Sequence, residues 1–421
     1  MFTRLHIKDW RQFDEINIAF HPHLTVLTGA NGAGKTTILN ILSKSTGWEP
    51  QFVSSYEKDE AGDNKYSNSL YTLGDLTISN KTDMLGLIKG VASKHKLGEL
   101  EFSDGRVADL TLPDRVTGGT YSISIQGGKI EKGVYVSSHR PSFPYRAVKT
   151  IPTSVASRDE IYQKYNDFNR RFVFDTFRNP DELSATALIK ETLASLAIFG
   201  YGNKSVTANE NARKLFEGFV EILKIVLPPK LGFEKISVVV PEVMLCTKSG
   251  NFPLDAVSGG ISSIIDITWQ LYMFAEASES FVALVDEPEN HLHPELQKNL
   301  LGNLIKAFPN VQFIVSTHNP FMITSQKDSY VYVLNYNRQH KVTSCQLDHI
   351  NKAGTSNAIL RDVLGIESTM PVWVENILEN IITKYSNIEF NQEILEGLKE
   401  ELSSIGLSDY IPETIIKVVK G

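Results

Sequence analysis

Apolar residues recur at every second position in short runs near the start of the chain, a spacing typical of half-buried β-strands. Three such runs, Leu5–Ile7, Ile16–Phe20 and Leu24–Leu27, predict an antiparallel hairpin followed by a third strand. A helix is predicted after the next glycine-rich turn, from Lys35 to about Lys44. The chain therefore opens with strands, a loop and a helix in close succession.

The middle of the chain changes from strand patterning to helix patterning. Residues 46–135 are rich in Gly, Asp, Asn and Ser, with short alternating runs such as Leu76–Ile78 and Tyr121–Ile125, which predicts a β-rich insertion. Apolar residues spaced by three and four in Ala185–Ala197 and Ala212–Val226 predict amphipathic helices. Because heptads are not sustained, we expect a compact helical arm instead of a long coiled coil.

Strand patterning returns from Ile236 and alternates with helices, and the last fifty residues predict acidic helices. Strands are predicted at Ile236–Val240, Val243–Cys246, Phe281–Val285, Val311–Val315 and Tyr330–Leu334, with helices from about 258 to 277 and after Pro294. We expect residues 1–150 and 231–350 to form the two halves of one domain. A helical insertion is expected at 151–230 and an acidic helical region at 351–421.

Composition narrows the class of protein without identifying it. The 421 residues are 42% hydrophobic and 22% charged, as in ordinary globular proteins, and no apolar run reaches the length of a membrane span. The two cysteines form no CxxC pair and the first residues lack a secretory signal, so a cytoplasmic location is expected. Net charge is −7, yet residues 139–171 carry seven basic against three acidic side chains, which makes them the best candidate for a nucleic-acid contact.

The most specific motif is the turn Gly29–Thr36, which reads Gly-Ala-Asn-Gly-Ala-Gly-Lys-Thr. Because glycines let successive backbone N–H groups face inward, such a turn between a strand and a helix cradles the phosphates of a nucleotide. Lys35 adds a positive charge, and the Thr36 hydroxyl is placed to ligate Mg²⁺. The following helix directs its positive end at the same anion. This is the Walker A pattern, and it predicts binding of a nucleoside triphosphate.

Three further motifs can complete such a site. The apolar strand 281–285 ends in Asp286 and Glu287, of which the first can bind Mg²⁺ and the second can polarise an attacking water. Ser258–Gly260 opens a helix with free N–H groups and a hydroxyl for an anion. His318 ends another apolar strand, a position from which it can sense the γ-phosphate.

The order of these motifs resembles ATP-binding-cassette-type (ABC-type) ATPases of the SMC, RecF and OLD branch. The stretch Asp286–Pro294 is similar to the OLD and RecF-like subgroup in particular. The resemblance covers residues 1–45 and about 235–335. Its matching parts are Gly29–Thr36 (Walker A), Val257–Gly260 (signature loop), Leu284–Glu287 (Walker B and catalytic Glu), Glu289–Pro294 (D-loop) and Ser316–His318 (switch His).

The resemblance implies an α/β fold, namely an ABC-type P-loop ATPase head with a mixed sheet, an antiparallel β subdomain, a helical arm insertion and a C-terminal helical tail. It also implies ATP hydrolysis with ATP and Mg²⁺, and a head-to-tail homodimer or higher homo-oligomer in which the signature serine of one copy caps the other's ATP. The implied catalytic residues are Glu287 and His318, and the implied metal ligands are Thr36 and Asp286. The implied nucleotide contacts are Asn31, Gly32, Gly34, Lys35, Thr36, Thr37, Ser258, Gly259 and Gly260.

Two features depart from the family pattern. The Q-loop glutamine has rival candidates, Gln126 and the segment Val136–Arg140, and the signature lacks the usual Gln after its glycines. His291 and His293 invite a metal-site interpretation, but no Cys or Asp cluster completes a ligand set. Because the family uses this loop to touch the partner subunit, we expect no metal there.

The sequence carries no nuclease motif beside the ATPase motifs. After residue 335 it has no Asp-x-Asp of a Toprim domain, and no His-rich HNH pattern occurs. The chain resembles stand-alone ATPase subunits of two-gene bacterial anti-phage systems, such as PtuA of Septu and AriA of PARIS, which implies a separate effector, a nuclease first of all. The alternatives are a RecF-like repair ATPase that binds DNA and an ATP-gated assembly scaffold with negligible turnover.

Overall fold

The computed structural model describes residues 1–58, 64–67, 95–113, 118–141, 143–174, 184–275, 280–348, 356–365, 371–386 and 391–420. The run predicted as a strand at Leu76–Ile78 lies outside these residues. The chain divides into two compact units, Met1–Ile359 and Leu360–Gly421.

The first unit contains strands from its first residues to residue 346. In chain order they are β1 (Phe2–Trp10), β2 (Phe13–Ala19), β3 (Leu24–Gly29), β4 (Phe52–Val53), β5 (Ser55–Lys58), β6 (Asn64–Ser67), β7 (His95–Phe102), β8 (Val107–Leu112), β9 (Thr120–Tyr121), β10 (Ser124–Gln126), β11 (Gly133–Val136), β12 (Phe233–Val239), β13 (Glu242–Thr247), β14 (Gly250–Pro253), β15 (Phe281–Asp286), β16 (Val311–Ser316), β17 (Tyr330–Tyr336) and β18 (Val342–Gln346). The helices of this unit are α1 (Lys35–Lys44), α2 (Arg158–Phe174), α3 (Ala185–Tyr201), α4 (Glu210–Val226), α5 (Gly259–Phe274), α6 (Pro294–Ala307), α7 (Pro320–Ile323) and α8 (Ser356–Ala358).

One eleven-stranded mixed sheet organises the first unit, in the order β10-β8-β7-β1-β2-β18-β17-β3-β16-β15-β11. Strands β17, β3, β16, β15 and β11 are parallel, whereas β10, β8, β7, β1 and β2 pair antiparallel. Every residue of β3, β15 and β16 is buried, which explains their nearly continuous apolar sequences. The sheet confirms the predicted α/β fold with an antiparallel β subdomain.

A single hydrophobic cluster joins the antiparallel strands to the parallel ones. It includes Trp10 and Phe13 from the first hairpin, Ile38 and Leu42 from α1, and Leu284 from β15. Since α1 follows the glycine-rich turn directly, this packing fixes the turn between two rigid elements. The carboxyl ends of β3, β15 and β16 meet at the same edge of the sheet, which is where polar side chains gather in parallel α/β sheets.

Helix α5 packs against helices of the segment 158–226. Helices α2 and α4 pack against it, and α3 packs on the small sheet β12-β13-β14. On α5, the Trp269 ring meets Phe219 of α4 edge to face, with ring centroids 5.0 Å apart. The Asp266 carboxylate is fully buried and accepts hydrogen bonds from Tyr165 of α2 and from Gln270, the latter at 2.9 Å. The middle of α5 is therefore held by well-packed neighbours.

The free energy of unfolding of Asp266→Asn, relative to that of the wild type, is expected to rise between pH 4 and pH 8. Burial raises the pKa of Asp266 from 3.8 to about 6, so its contribution to stability is present below about pH 4 and is lost as pH rises through 6. Each pKa unit is worth about 1.4 kcal/mol, so this rise is on the order of 3 kcal/mol at most. Denaturant unfolding of both proteins at pH 4 and pH 8 checks this; an equal difference at both pH values would contradict it.

The second unit is helical. A π-helical turn (Ile359–Val363) leads into it from the last residue of the first unit. The helices of the second unit are α9 (Val372–Ser386), α10 (Gln392–Ser404) and α11 (Ile411–Lys420). Val374, Leu378, Leu398 and Leu402 are among the buried residues of its core. Across the described part of the chain, no helix combines the length and the apolar character that crossing a membrane requires.

Candidate active site

The glycine-rich turn leaves β3 and enters α1 through glycines in the left-handed region. Gly29, Gly32 and Gly34 have φ values of 135°, 80° and 92°. A Cβ at Gly29 would collide with the Leu334 carbonyl, and one at Gly34 would lie 2.5 Å from the Phe13 ring. Glycine is therefore required at both positions for backbone conformation and for space.

Lys35 is buried at the first position of α1, with 6% of its surface exposed. Its ammonium donates to the carbonyl oxygens of Gly29 (2.9 Å) and Ala30 (3.0 Å), so it lies at the mouth of its own turn. Burial lowers the pKa of Lys35, and three nearby carboxylates oppose that change: Glu287, Asp286 and Glu289. A polyphosphate bound in the turn would meet a cation held in place.

Asp286, the predicted Walker B aspartate, lies directly beside Thr36 of the glycine-rich turn. Asp286 ends β15, is 1% exposed, and accepts hydrogen bonds from Thr36 Oγ1 at 3.0 and 3.2 Å. Ser316, its neighbour in register on β16, donates to the same carboxylate. Burial raises the pKa of Asp286. The hydroxyl and carboxylate oxygens together are the ligand types that Mg²⁺ prefers.

Glu287 is turned by its backbone toward His318. Its φ is 45°, in the left-handed region that non-glycine residues rarely adopt. Its N–H donates to the Ser316 carbonyl at 3.0 Å. One carboxylate oxygen lies 2.9 Å from His318 Nε2, and the other accepts from Asn290 Nδ2 at 3.2 Å. The carboxylate thus has a defined direction next to His318.

Glu289 anchors the strand end that carries His318. Its buried carboxylate accepts a hydrogen bond from the Thr317 hydroxyl and another from the His318 N–H at 3.3 Å. Burial raises the pKa of Glu289. Asn319 then caps α7 by accepting from the Phe321 N–H at 2.8 Å. These bonds fix the backbone on both sides of His318.

The predicted signature segment, Val257–Gly260, lies beside the predicted D-loop, Glu289–Pro294, of the same chain. Ser258 is the N-cap of α5, its side chain makes no capping bond, and both Ser258 and Gly259 are exposed. Gly260 is buried, and a Cβ there would lie 3.0 Å from the His291 carbonyl. The first N–H groups of α5 and the Ser258 hydroxyl are therefore not used for capping their own helix.

The remaining predicted nucleotide contacts lie in the glycine-rich turn and on α1. Asn31 and Gly32 are exposed in the turn, and Thr37 is half-buried on α1. His293 Nδ1 accepts from the Glu295 N–H at 3.3 Å, which caps α6.

The two Q-loop candidates lie at opposite edges of the large sheet. Gln126 is on β10 and donates to Thr111 at 3.2 Å. The segment 136–140 instead begins at the last residue of β11, which pairs with β15, so of the two candidates only this segment reaches the site.

The basic segment 139–171 is partly used inside the protein. Arg140 donates to Ser263 and to backbone carbonyls near Asp286. Arg158 donates to the Ala275 carbonyl, and Arg170 donates to the Gly47 carbonyl at 2.9 Å. These three arginines are therefore less available to nucleic acid than the sequence suggested.

Sequence reasoning missed the roles of Glu289, Ser316 and Arg140. Ser316 could have been found, because equal-length parallel strands place it level with Asp286. Glu289 and Arg140 stood inside recognised motifs, but their partners depend on the backbone path of the loop after β15.

Comparison with known proteins places these motifs among ATPases. A family model described as "AAA domain, putative AbiEii toxin, Type IV TA system" matches residues 119–324, and one described as "AAA domain" matches residues 4–173. "Retron Ec83 probable ATPase" of Escherichia coli is 22% identical over 92% of this chain and 80% of its own length. "Septu protein PtuA" is 27% identical in Bacillus mycoides (strain KBAB4), over 36% of this chain and 22% of that protein. In Bacillus thuringiensis it is 25% identical, over 37% of this chain and 43% of that protein.

Among solved structures, the SMC head domain from Thermotoga maritima aligns with 82% of this chain and 99% of its own, at 12% identity and a TM-score of 0.42. The matches to the two Septu proteins span less than half of those proteins, whereas the retron match spans most of both chains. These matches show that the chain is an ATPase, and it resembles the proteins named for retron and Septu systems.

Proposed function

We propose that two copies of this chain close head to tail on ATP, each presenting its Ser258 helix start to the nucleotide held by the other. The observation that carries the proposal is the position of the signature segment. Its glycines pack on the D-loop, whereas Gly29 and Gly34 of the Walker A turn pack on Leu334 and Phe13. The exposed Ser258 hydroxyl and the N–H groups of α5 make no capping bond, which suits an anion brought by a second copy.

Different residues of one chain bind the phosphates, bind Mg²⁺ and activate water at the nucleotide held by that chain. Lys35 and the turn N–H groups bind the phosphates, and Thr36 with Asp286 would hold Mg²⁺. The ion would supply charge neutralisation at the phosphoryl oxygens when bound. Glu287 orients the attacking water and accepts its proton, and His318, at 2.9 Å from Glu287, is placed to exchange that contact for the γ-phosphate.

We further infer that the nucleotide state controls a separate effector, a nuclease first of all, in bacterial anti-phage defence. The similarity to proteins named for retron and Septu systems supports this, as does the lack of Toprim and HNH patterns in these 421 residues. The internal partners of Arg140, Arg158 and Arg170 weaken the case for a RecF-like DNA clamp.

Replacing Lys35 with alanine is expected to weaken ATP binding about 10- to 100-fold, because hydrogen bonds to a charged group contribute roughly 1.5–3 kcal/mol. Isothermal titration with ATP and Mg²⁺ measures this, and light scattering follows dimer formation, which should disappear in the variant. Lys44→Ala, on the last turn of the same helix and paired with Glu49, is the matched control and should bind ATP normally. Unchanged affinity in Lys35→Ala would refute the Walker A assignment.

The effector proposal is tested by purification with the products of neighbouring genes. We expect a nuclease to co-purify, and its activity to differ between the ATP-bound and nucleotide-free protein. Binding to duplex DNA that falls steeply with salt, without a nuclease partner, would favour the RecF-like alternative.

A further inference from the structure

Arg140 connects two parts of the site that lie far apart in the sequence. Its guanidinium donates to four carbonyl oxygens at the end of β15 and in the loop after it: Asp286 (3.3 Å), Glu287 (3.1 Å), Pro288 (3.4 Å) and Asn290 (3.4 Å). Its Nε donates to Ser263 Oγ on the first turns of α5 at 3.0 Å, and Nη1 donates to the Ser137 carbonyl at 3.2 Å. One side chain therefore connects the loop after β15, which carries Glu287, with helix α5.

The chemistry of this position suits arginine in particular. A guanidinium offers five N–H donors in a planar fork, whereas a lysine ammonium offers three from one point and cannot reach both sides at once. Burial lowers the pKa of Arg140, and four carboxylates oppose that change: Asp266, Glu289, Asp286 and Glu287. The charge is thus held among acids while its hydrogen bonds go mainly to the backbone.

The loop that Arg140 contacts has two non-glycine residues in the left-handed region of backbone conformation. Glu287 and His291 have φ values of 45° and 69°, and a non-glycine residue in this region costs on the order of 1 kcal/mol or more. The carbonyls of Glu287 and Pro288 both turn toward Arg140. The direction of the Glu287 side chain follows from this backbone, so it depends on the partner that satisfies those carbonyls.

We propose that Arg140 is a positioning residue that holds Glu287 in its working orientation and couples that orientation to helix α5. The proposal rests on the proposed role of Glu287 as the general base. Since α5 begins at Ser258, which faces the partner's nucleotide in the proposed dimer, a shift of α5 is passed through Ser263 and Arg140 to Glu287 of the same chain. Binding of ATP at one composite site therefore determines the orientation of Glu287 at the other composite site.

Arg140→Lys is expected to lower kcat about 10- to 100-fold while the Kd for ATP stays within about twofold, because displacement of a catalytic group by roughly 1 Å costs on this scale. The Hill coefficient for ATP should exceed one in the wild type and fall toward one in the variant. Arg158→Lys is the matched control: this arginine also donates to a backbone carbonyl, that of Ala275 after the far end of α5, and its replacement should alter neither quantity. Arg140→Gln serves as the second variant if Arg140→Lys does not fold.

A double-mutant cycle with Glu287→Gln separates positioning from a general structural role. If Arg140 acts through Glu287, adding Arg140→Lys to Glu287→Gln should cause no further loss of turnover. The inference would be overturned if the losses of turnover of the two single variants multiply in the double variant. It would also be overturned if Arg140→Lys loses ATP affinity in parallel with turnover, or hydrolyses ATP at the wild-type rate. A wild-type Hill coefficient of one would overturn the coupling through α5. Failure of the proposed function looks different: Glu287→Gln alone would then hydrolyse ATP at the wild-type rate, and the positioning role would fall with it.

Discussion

Glu287→Gln is expected to bind ATP normally and to hydrolyse it about 10²- to 10⁴-fold more slowly than the wild type, the range for loss of a general base. The amide keeps the shape of the side chain and can still accept from Asn290, which lies 3.2 Å from the carboxylate. It cannot take up the proton of the attacking water. ATP should therefore remain in the site, and the proposed dimer should accumulate in the closed state.

Single-turnover hydrolysis measures the chemical step, and light scattering with ATP and Mg²⁺ measures the dimer. Glu295→Gln is the matched control, because Glu295 is an exposed carboxylate on the next helix that pairs with Lys230 at 2.8 Å. Its turnover should equal that of the wild type. If Glu287→Gln also hydrolyses ATP at that rate, the base lies elsewhere.

The parts of the site that the sequence predicts are those fixed by local pattern. Buried parallel strands such as β3 and β15 read as continuous apolar runs, so their ends could be located to within a residue or two. When two such strands run parallel in the same sheet, their carboxyl ends lie at the same edge of that sheet. The nearness of Thr36 and Asp286, 3.0 Å apart, follows from that rule.

The parts that the sequence does not predict depend on strand order and on backbone conformation. Gln126 and residues 136–140 are rival candidates in the sequence, and only the order of the large sheet places β10 and β11 at its opposite edges. The bonds of Arg140 depend on the left-handed backbone of Glu287, a residue type that gives no local signal for φ of 45°. Side chains that satisfy an irregular loop can be recognised only when the path of the loop is known.

Ser258→Arg is expected to abolish ATP-dependent dimer formation and steady-state hydrolysis, while binding of ATP to the monomer persists. Ser258 is exposed at the start of α5, so a long cationic side chain fits the free chain but would occupy the space of the partner's phosphates. Ser103→Arg, at an exposed serine in the turn between β7 and β8, is the control for added bulk and charge and should dimerise normally.

Mixing two inactive variants gives the sharpest test of composite sites. In a heterodimer of Ser258→Arg with Lys35→Ala, one site combines both defects, and the other combines an intact Lys35 with an intact Ser258 from the partner. ATPase activity should therefore reappear on mixing, up to about half of the wild-type rate per heterodimer if the two sites act independently. Coupling through Arg140 would hold the recovered rate below that level, because the remaining site has no nucleotide-bearing neighbour. Full activity of Ser258→Arg on its own would mean that each chain hydrolyses ATP without a partner's signature segment.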